Sequence, residues 1–137
     1  MAGFVNPVSQ GAGTVTTGWV AVKDFESFLA IITAGVLGAS ATLDAKIQQA
    51  TSSGGANAKD VTGKAITQMV KATDDNKIAE INLRADELDV NGGFNFIRVS
   101  ATVGTAASLI AVHLLGFDPH YGPASDNDSA SVKEIIA

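Results

Sequence analysis

Apolar residues recur at every second position along much of the chain. Between residues 41 and 48, Ala41, Leu43, Ala45 and Ile47 alternate with Thr42, Asp44, Lys46 and Gln48. Such alternation predicts a half-buried antiparallel strand, because on a helix the same spacing would wrap apolar groups around the cylinder. Residues 78–85 repeat the pattern, with Ala79, Ile81, Leu83 and Ala85 inward and Glu80, Asn82 and Arg84 outward. Residues 94–103 do so again, setting Ile97, Val99, Ala101 and Val103 against Arg98, Ser100 and Thr102. The common phase predicts one core that holds Leu43, Ile47, Ile81, Leu83, Ile97 and Val99. Residues 26–33 and 109–115 are apolar on both faces, as in strands that are central or covered by a neighbouring subunit.

Turn residues punctuate these strands at short intervals: Gly35, Gly38, Gly54, Gly55, Gly63, Asn76, Asn91, Gly92 and Gly104. Many short strands with such turns predict an all-β fold, an antiparallel β-sandwich of jelly-roll-like form. Residues 58–71 are ambiguous, since Val61, Ala65, Ile66 and Met69 suit a short helix as well as a strand. Residues 1–17 are rich in Gly, Ser and Thr and lack periodicity, which predicts an extended N-terminal arm outside the core. Residues 18–117 form the sandwich domain, and residues 118–137 a C-terminal tail whose last residues, 129–137, fit a final turn or a docking strand.

Composition narrows the function classes. Of 137 residues, 46% are hydrophobic and 17% charged, which excludes disorder throughout, and aromatics reach only 6%, so the core must be aliphatic. There is no cysteine, so disulfides, thiolate metal sites and cysteine nucleophiles are ruled out. The net charge of −5, with nine Lys and Arg scattered along the chain, argues against nucleic acid and against anionic membrane surfaces. No apolar run approaches the ~20 residues of a membrane-spanning helix. The N-terminus has no basic segment of the signal-peptide kind, which predicts a protein kept in the cytosol or assembled there into something larger.

Candidate chemistry is sparse. Gly11 and Gly13 open like a dinucleotide loop, but Thr16 stands where a third Gly belongs and no strand precedes them. Gly63 and Lys64 lack the upstream Gly of a phosphate loop. Glu87, Asp89 and Asn91 resemble half of a calcium loop, yet Arg98 occupies the position of its bidentate Glu. A polar hairpin loop with Asn91 and Gly92 at positive φ is the plainer expectation. Asp126 and Asp128 form a weaker acidic pair. His113 reads as a sheet residue, and His120, with Asp118 in FDPHYGP (residues 117–123), does not complete a zinc site. No nucleophile elbow is present. The expectation is a protein with no catalytic residues, no metal and no cofactor, and with interface candidates Phe4, Val5, Trp19, Phe25, His120 and Tyr121.

WVAVKDFE (residues 19–26), FLAIITAG (28–35), ATLDAKIQQA (41–50), FNFIRVSATV (94–103) and AVHLLG (111–116) follow one another in an order that resembles the small β-sandwich structural proteins of tailed bacteriophages. SSGGANAKDVTG (residues 52–63) keeps the Asp-Val-Thr-Gly run of such proteins and lacks their Trp. The resemblance implies a virion protein assembled in the host cytoplasm, with capsid decoration, head–tail joining and fibre attachment as the roles on offer. It implies a major capsid protein or another virion protein as partner, and a homo-oligomer, a trimer among the possibilities. Glycan binding is the competing expectation, with Tyr121 its best single contact.

Overall fold

Strands form wherever the alternation predicts them. A computed structural model describes residues 1–120; Tyr121, the acidic pair Asp126 and Asp128, and the remainder of the tail lie outside the described residues. In chain order the elements are β1 (Gly3–Gln10), β2 (Gly13–Thr16), β3 (Val20–Ala21), β4 (Phe25–Ala34), β5 (Thr42–Ala50), β6 (Lys59–Ala65), β7 (Met69–Val70), a single helical turn α1 (Lys71–Asp74), β8 (Ile78–Arg84), β9 (Phe96–Gly104) and β10 (Ser108–Pro119). Short 3₁₀ turns fill Val22–Asp24, Ala85–Glu87 and Val90–Gly92.

Two antiparallel sheets face each other. The first runs β1-β10-β4-β8; the second runs β2-β9-β5-β6, with β3 extending along β9 and β7 along β5. Successive long strands mostly change sheet, and the first strand returns to lie beside the last, which is the strand order of a jelly roll. The chain is therefore an all-β antiparallel sandwich. All six predicted core residues are buried in one cluster, with Leu43, Ile47 and Ile97 fully covered.

Alternation also decides where small residues go. Gly116 faces inward on β10, opposite Phe28 of β4, and a Cβ there would lie 2.5 Å from the Phe25 ring. Phe25 fills that space and meets Phe28 edge to face, with centroids 5.7 Å apart.

Three expectations need correction. Residues 1–17 are not an arm outside the core: β1 pairs with β10 from Gly3 to Gln10, and β2 pairs with β9. Thr17, 2% exposed, is tied to Val99 by its backbone N–H and by a hydrogen bond from Val99 N to its hydroxyl, each 3.0 Å. The segment hid because β1 is an edge strand that buries only Gly3 and Val5, and its register shifts between Val5 and Val8, around Pro7. Residues 58–71 resolve into β6 and β7, and the helical turn begins only at Lys71. The 85–93 loop is not a tight hairpin but the crossing from β8 to the other sheet, and Gly93 (φ 77°), rather than Asn91 or Gly92, takes the left-handed conformation.

Candidate functional site

The two outer faces differ sharply in chemistry. On the β2-β9-β5-β6 sheet the outward positions are polar and satisfy one another. Lys46 reaches Asp60 at 2.7 Å, Gln48 donates to the same carboxylate at 2.9 Å and accepts from Arg98 Nε at 2.9 Å. Gln68 donates to Asp44 at 2.7 Å, and Thr14 and Thr102 share a hydrogen bond of 2.8 Å. The Lys46 ammonium, and next the Gln48 amide, hold the Asp60 carboxyl below its ordinary value. A lattice this complete leaves little unmet hydrogen-bonding capacity for a ligand.

The β1-β10-β4-β8 sheet turns an apolar face outward. Leu109, Ala111, His113, Leu115 and Phe117 project from β10, and Leu29, Ile31 and Thr33 stand beside them on β4 in register. Phe4 of β1 lies opposite His113, and Ile78 of β8 opposite Thr33. Leu109, Phe117 and Ile78 are 49%, 44% and 61% exposed, while Leu29, Ile31, Leu115 and Phe4 are half-buried by their neighbours alone. At the Leu109 end a hollow of about 440 Å³ opens between Pro7, Val8, Thr33, Leu109, Ala111 and His113. At the other end of the same strand Phe117 stands up beside Leu29. Glu80 and Arg84 stand on the β8 rim, and Lys64 and Glu87 line the same edge beside Leu29 and Phe117.

The residues singled out from sequence fall into different settings. Phe4 belongs to the apolar face. Val5 and Phe25 do not serve an interface: both point inward and are buried in the core, at 8% and 4% exposure. Trp19 is half-buried, with the Arg98 guanidinium 4.4 Å above its ring and Gly55 of the β5–β6 turn against its Nε1 edge. It occupies the hairpin tip that lacks a Trp of its own. His120 closes the end of β10 onto the start of β4, its backbone N–H donating to Asp24 O at 3.0 Å and its Nε2 3.3 Å from Glu26. Tyr121 lies outside the described residues. The half-calcium loop is taken up internally: Lys64 pairs with Glu87 at 2.7 Å, and Asp89 pairs with Lys59 and accepts from Gly92 N at 3.0 Å. Among the described residues no group of three acidic or histidine side chains is placed to hold a metal.

Leu29, Ile31, Leu109, Leu115 and Phe117 were not among the interface candidates. For Leu29, Ile31, Leu109 and Leu115 the signal was present in sequence as the two segments apolar on both faces.

No family model matches the chain, and no curated protein matches it. Similar solved structures include a family 35 carbohydrate binding module from an environmental isolate, 15% identical, TM-score 0.41, covering 88% of this chain and 79% of that one. A chain of Broad Bean Stain Virus is 10% identical, TM-score 0.41, over 83% of this chain and 65% of that one. A chain of infectious bursal disease virus Gt strain is 9% identical, TM-score 0.38, over 83% of this chain and 29% of that one. The neighbours thus include virus chains and a carbohydrate-binding module, and at these scores the likeness carries nothing about function.

Proposed function

We propose that the chain is a non-enzymatic structural protein of a virion, a decoration protein that docks on the assembled head of a tailed bacteriophage and stabilises it. Its partners on this reading are the major capsid protein or another virion protein, and further copies of itself. The observation that carries the reading is the apolar outer face of the β1-β10-β4-β8 sheet beside a polar face that is already satisfied. Exposed apolar area concentrated on one face marks a surface that another protein covers. The jelly roll itself is used by capsid domains and by lectins alike, so the fold does not choose between them. Glycan binding has less support, because Trp19 carries Arg98 on its ring and Phe94 carries Lys59 at 4.1 Å, which occupies ring faces that a sugar platform needs.

The test is mass spectrometry and cryo-EM of purified particles of the phage that encodes the chain. The expected result is a fixed copy number on the head, with Leu109 and Phe117 buried in contacts. Absence from the particles together with retention on a glycan array would overturn the reading.

A further inference from the structure

We infer that the apolar face pairs with the same face of a second copy, as an isologous dimer in which Phe117 of each chain enters the Leu109–Ala111 hollow of the other. The inference rests on the reading of this face as a covered one, and it names what covers it.

The argument is geometric. Phe117 and the hollow lie on the same face of the same strand, at opposite ends, so one copy cannot use both. A two-fold axis lying between the facing sheets and running across the strands would bring them together twice. Leu114, Ala30 and Ile81 are at one level across β10, β4 and β8, and all three point inward. Rotation about that level carries outward positions onto outward positions: Phe117 onto Ala111, Leu115 onto His113, Leu29 onto Ile31. On the rim it sets Glu80 over Asn82 of the second copy and Ile78 over the aliphatic stem of Arg84. An axis along β10 would instead set hollow over hollow and leave both empty. Each contact of the first arrangement is made reciprocally, as a closed two-fold pair requires.

Size is consistent with a pair. Four strands at about 4.8 Å spacing and a mean length of about nine residues give a face of roughly 19 by 31 Å, or on the order of 600 Å² in projection. Side-chain relief adds to this, which brings it near the ~800 Å² per partner of a standard interface. Packing of two such faces about 10 Å apart repeats the geometry already used inside the sandwich.

The test uses the full chain in sedimentation and thiol cross-linking. The natural sequence lacks cysteine, so introduced thiols report without background. The expected result is a dimer that dissociates on dilution. Phe117→Asp should weaken it by about tenfold or more, as loss of a central aromatic anchor does. Val90→Asp, on a loop away from the face and 63% exposed, should leave it unchanged, and circular dichroism should be the same for both variants. Ile78→Cys mixed with Arg84→Cys, two exposed positions of β8 that the axis superposes, should be joined by a short flexible bis-maleimide. Neither variant should join to itself as readily, because its two copies would lie roughly 20 Å apart along the strand. A wild-type chain that is monomeric at every concentration, or self-linking of the single variants as strong as in the mixture, would overturn the pairing. A monomer that is nevertheless a fixed component of particles removes the pairing alone and leaves the structural role standing.

Discussion

Trp19 and Gly55 are in contact edge to backbone: a Cβ on Gly55 would fall 2.6 Å from the indole Nε1. Gly55 also holds φ at 82°, a conformation that L side chains rarely adopt. Gly55→Ala should therefore destabilise the chain by about 1–3 kcal/mol. The single Trp makes this measurable, since urea unfolding followed by its fluorescence reports both the midpoint and the native environment. An unchanged midpoint would mean that the ring does not hold the hairpin tip.

The inner and outer faces of the first sheet predict different costs of truncation. Leu83 is 1% exposed in the common core, and Leu83→Ala should cost about 2–5 kcal/mol. Leu109 is 49% exposed, and Leu109→Ala should change the stability of the isolated chain by no more than about 0.5 kcal/mol. Denaturant melts at a concentration low enough to keep chains apart would compare the two. Equal losses would place Leu109 in a core of its own.

Gly116→Ala introduces a methyl group where the Phe25 ring already stands, 2.5 Å from the ideal Cβ. Overpacking of this kind costs about 1–3 kcal/mol. Phe25→Leu in the same chain should recover part of the loss, so that the double variant is more stable than the sum of the singles. Strict additivity would show that the two positions do not compete for space.

Acid should weaken the fold in a defined direction. Lys46 lowers the Asp60 pKa, Lys71 that of Asp75, Lys64 that of Glu87 and Lys59 that of Asp89, while the backbone N–H of Val70 lowers that of Asp74. A carboxylate with a lowered folded pKa contributes stability above its unfolded value and loses it as pH falls through the folded one. Thermal melts should be level from pH 7 down to about 5 and decline below roughly pH 4. A transition temperature that rises on acidification would contradict these pairings.

The sandwich was legible because its inner residues are large, aliphatic and an even number of positions apart: Leu43 and Ile47, Ile81 and Leu83, Ile97 and Val99. The strands that escaped detection bury too little to leave a pattern. In β6 only Val61 is buried, and β1 covers its backbone through hydrogen bonds to β10 rather than through side chains. The apolar outer face was half visible, since double-sided hydrophobicity in residues 26–33 and 109–115 marks it. The hollow and the upright Phe117 were not, because they depend on which neighbours the register supplies. Val5 and Phe25 looked like interface residues for the same reason: an isolated apolar side chain in sequence does not say which face it takes.

One small contact at the margin of the first sheet limits how far association can go. Lys64 reaches over from the opposite sheet and donates to the carbonyl of Asn82 at 2.8 Å, on the edge of β8 that has no strand neighbour among the described residues. At the opposite margin, β1 carries Pro7, which has no N–H to offer. Neither border is thus a free template for another strand, and unprotected borders of this kind are where chains add without end into fibrils. A protein guarded in this way can be concentrated many-fold on a surface without polymerising along its edges. Lys64→Ala would remove one of the two guards, and slow fibre formation in concentrated samples is the failure that the lysine prevents.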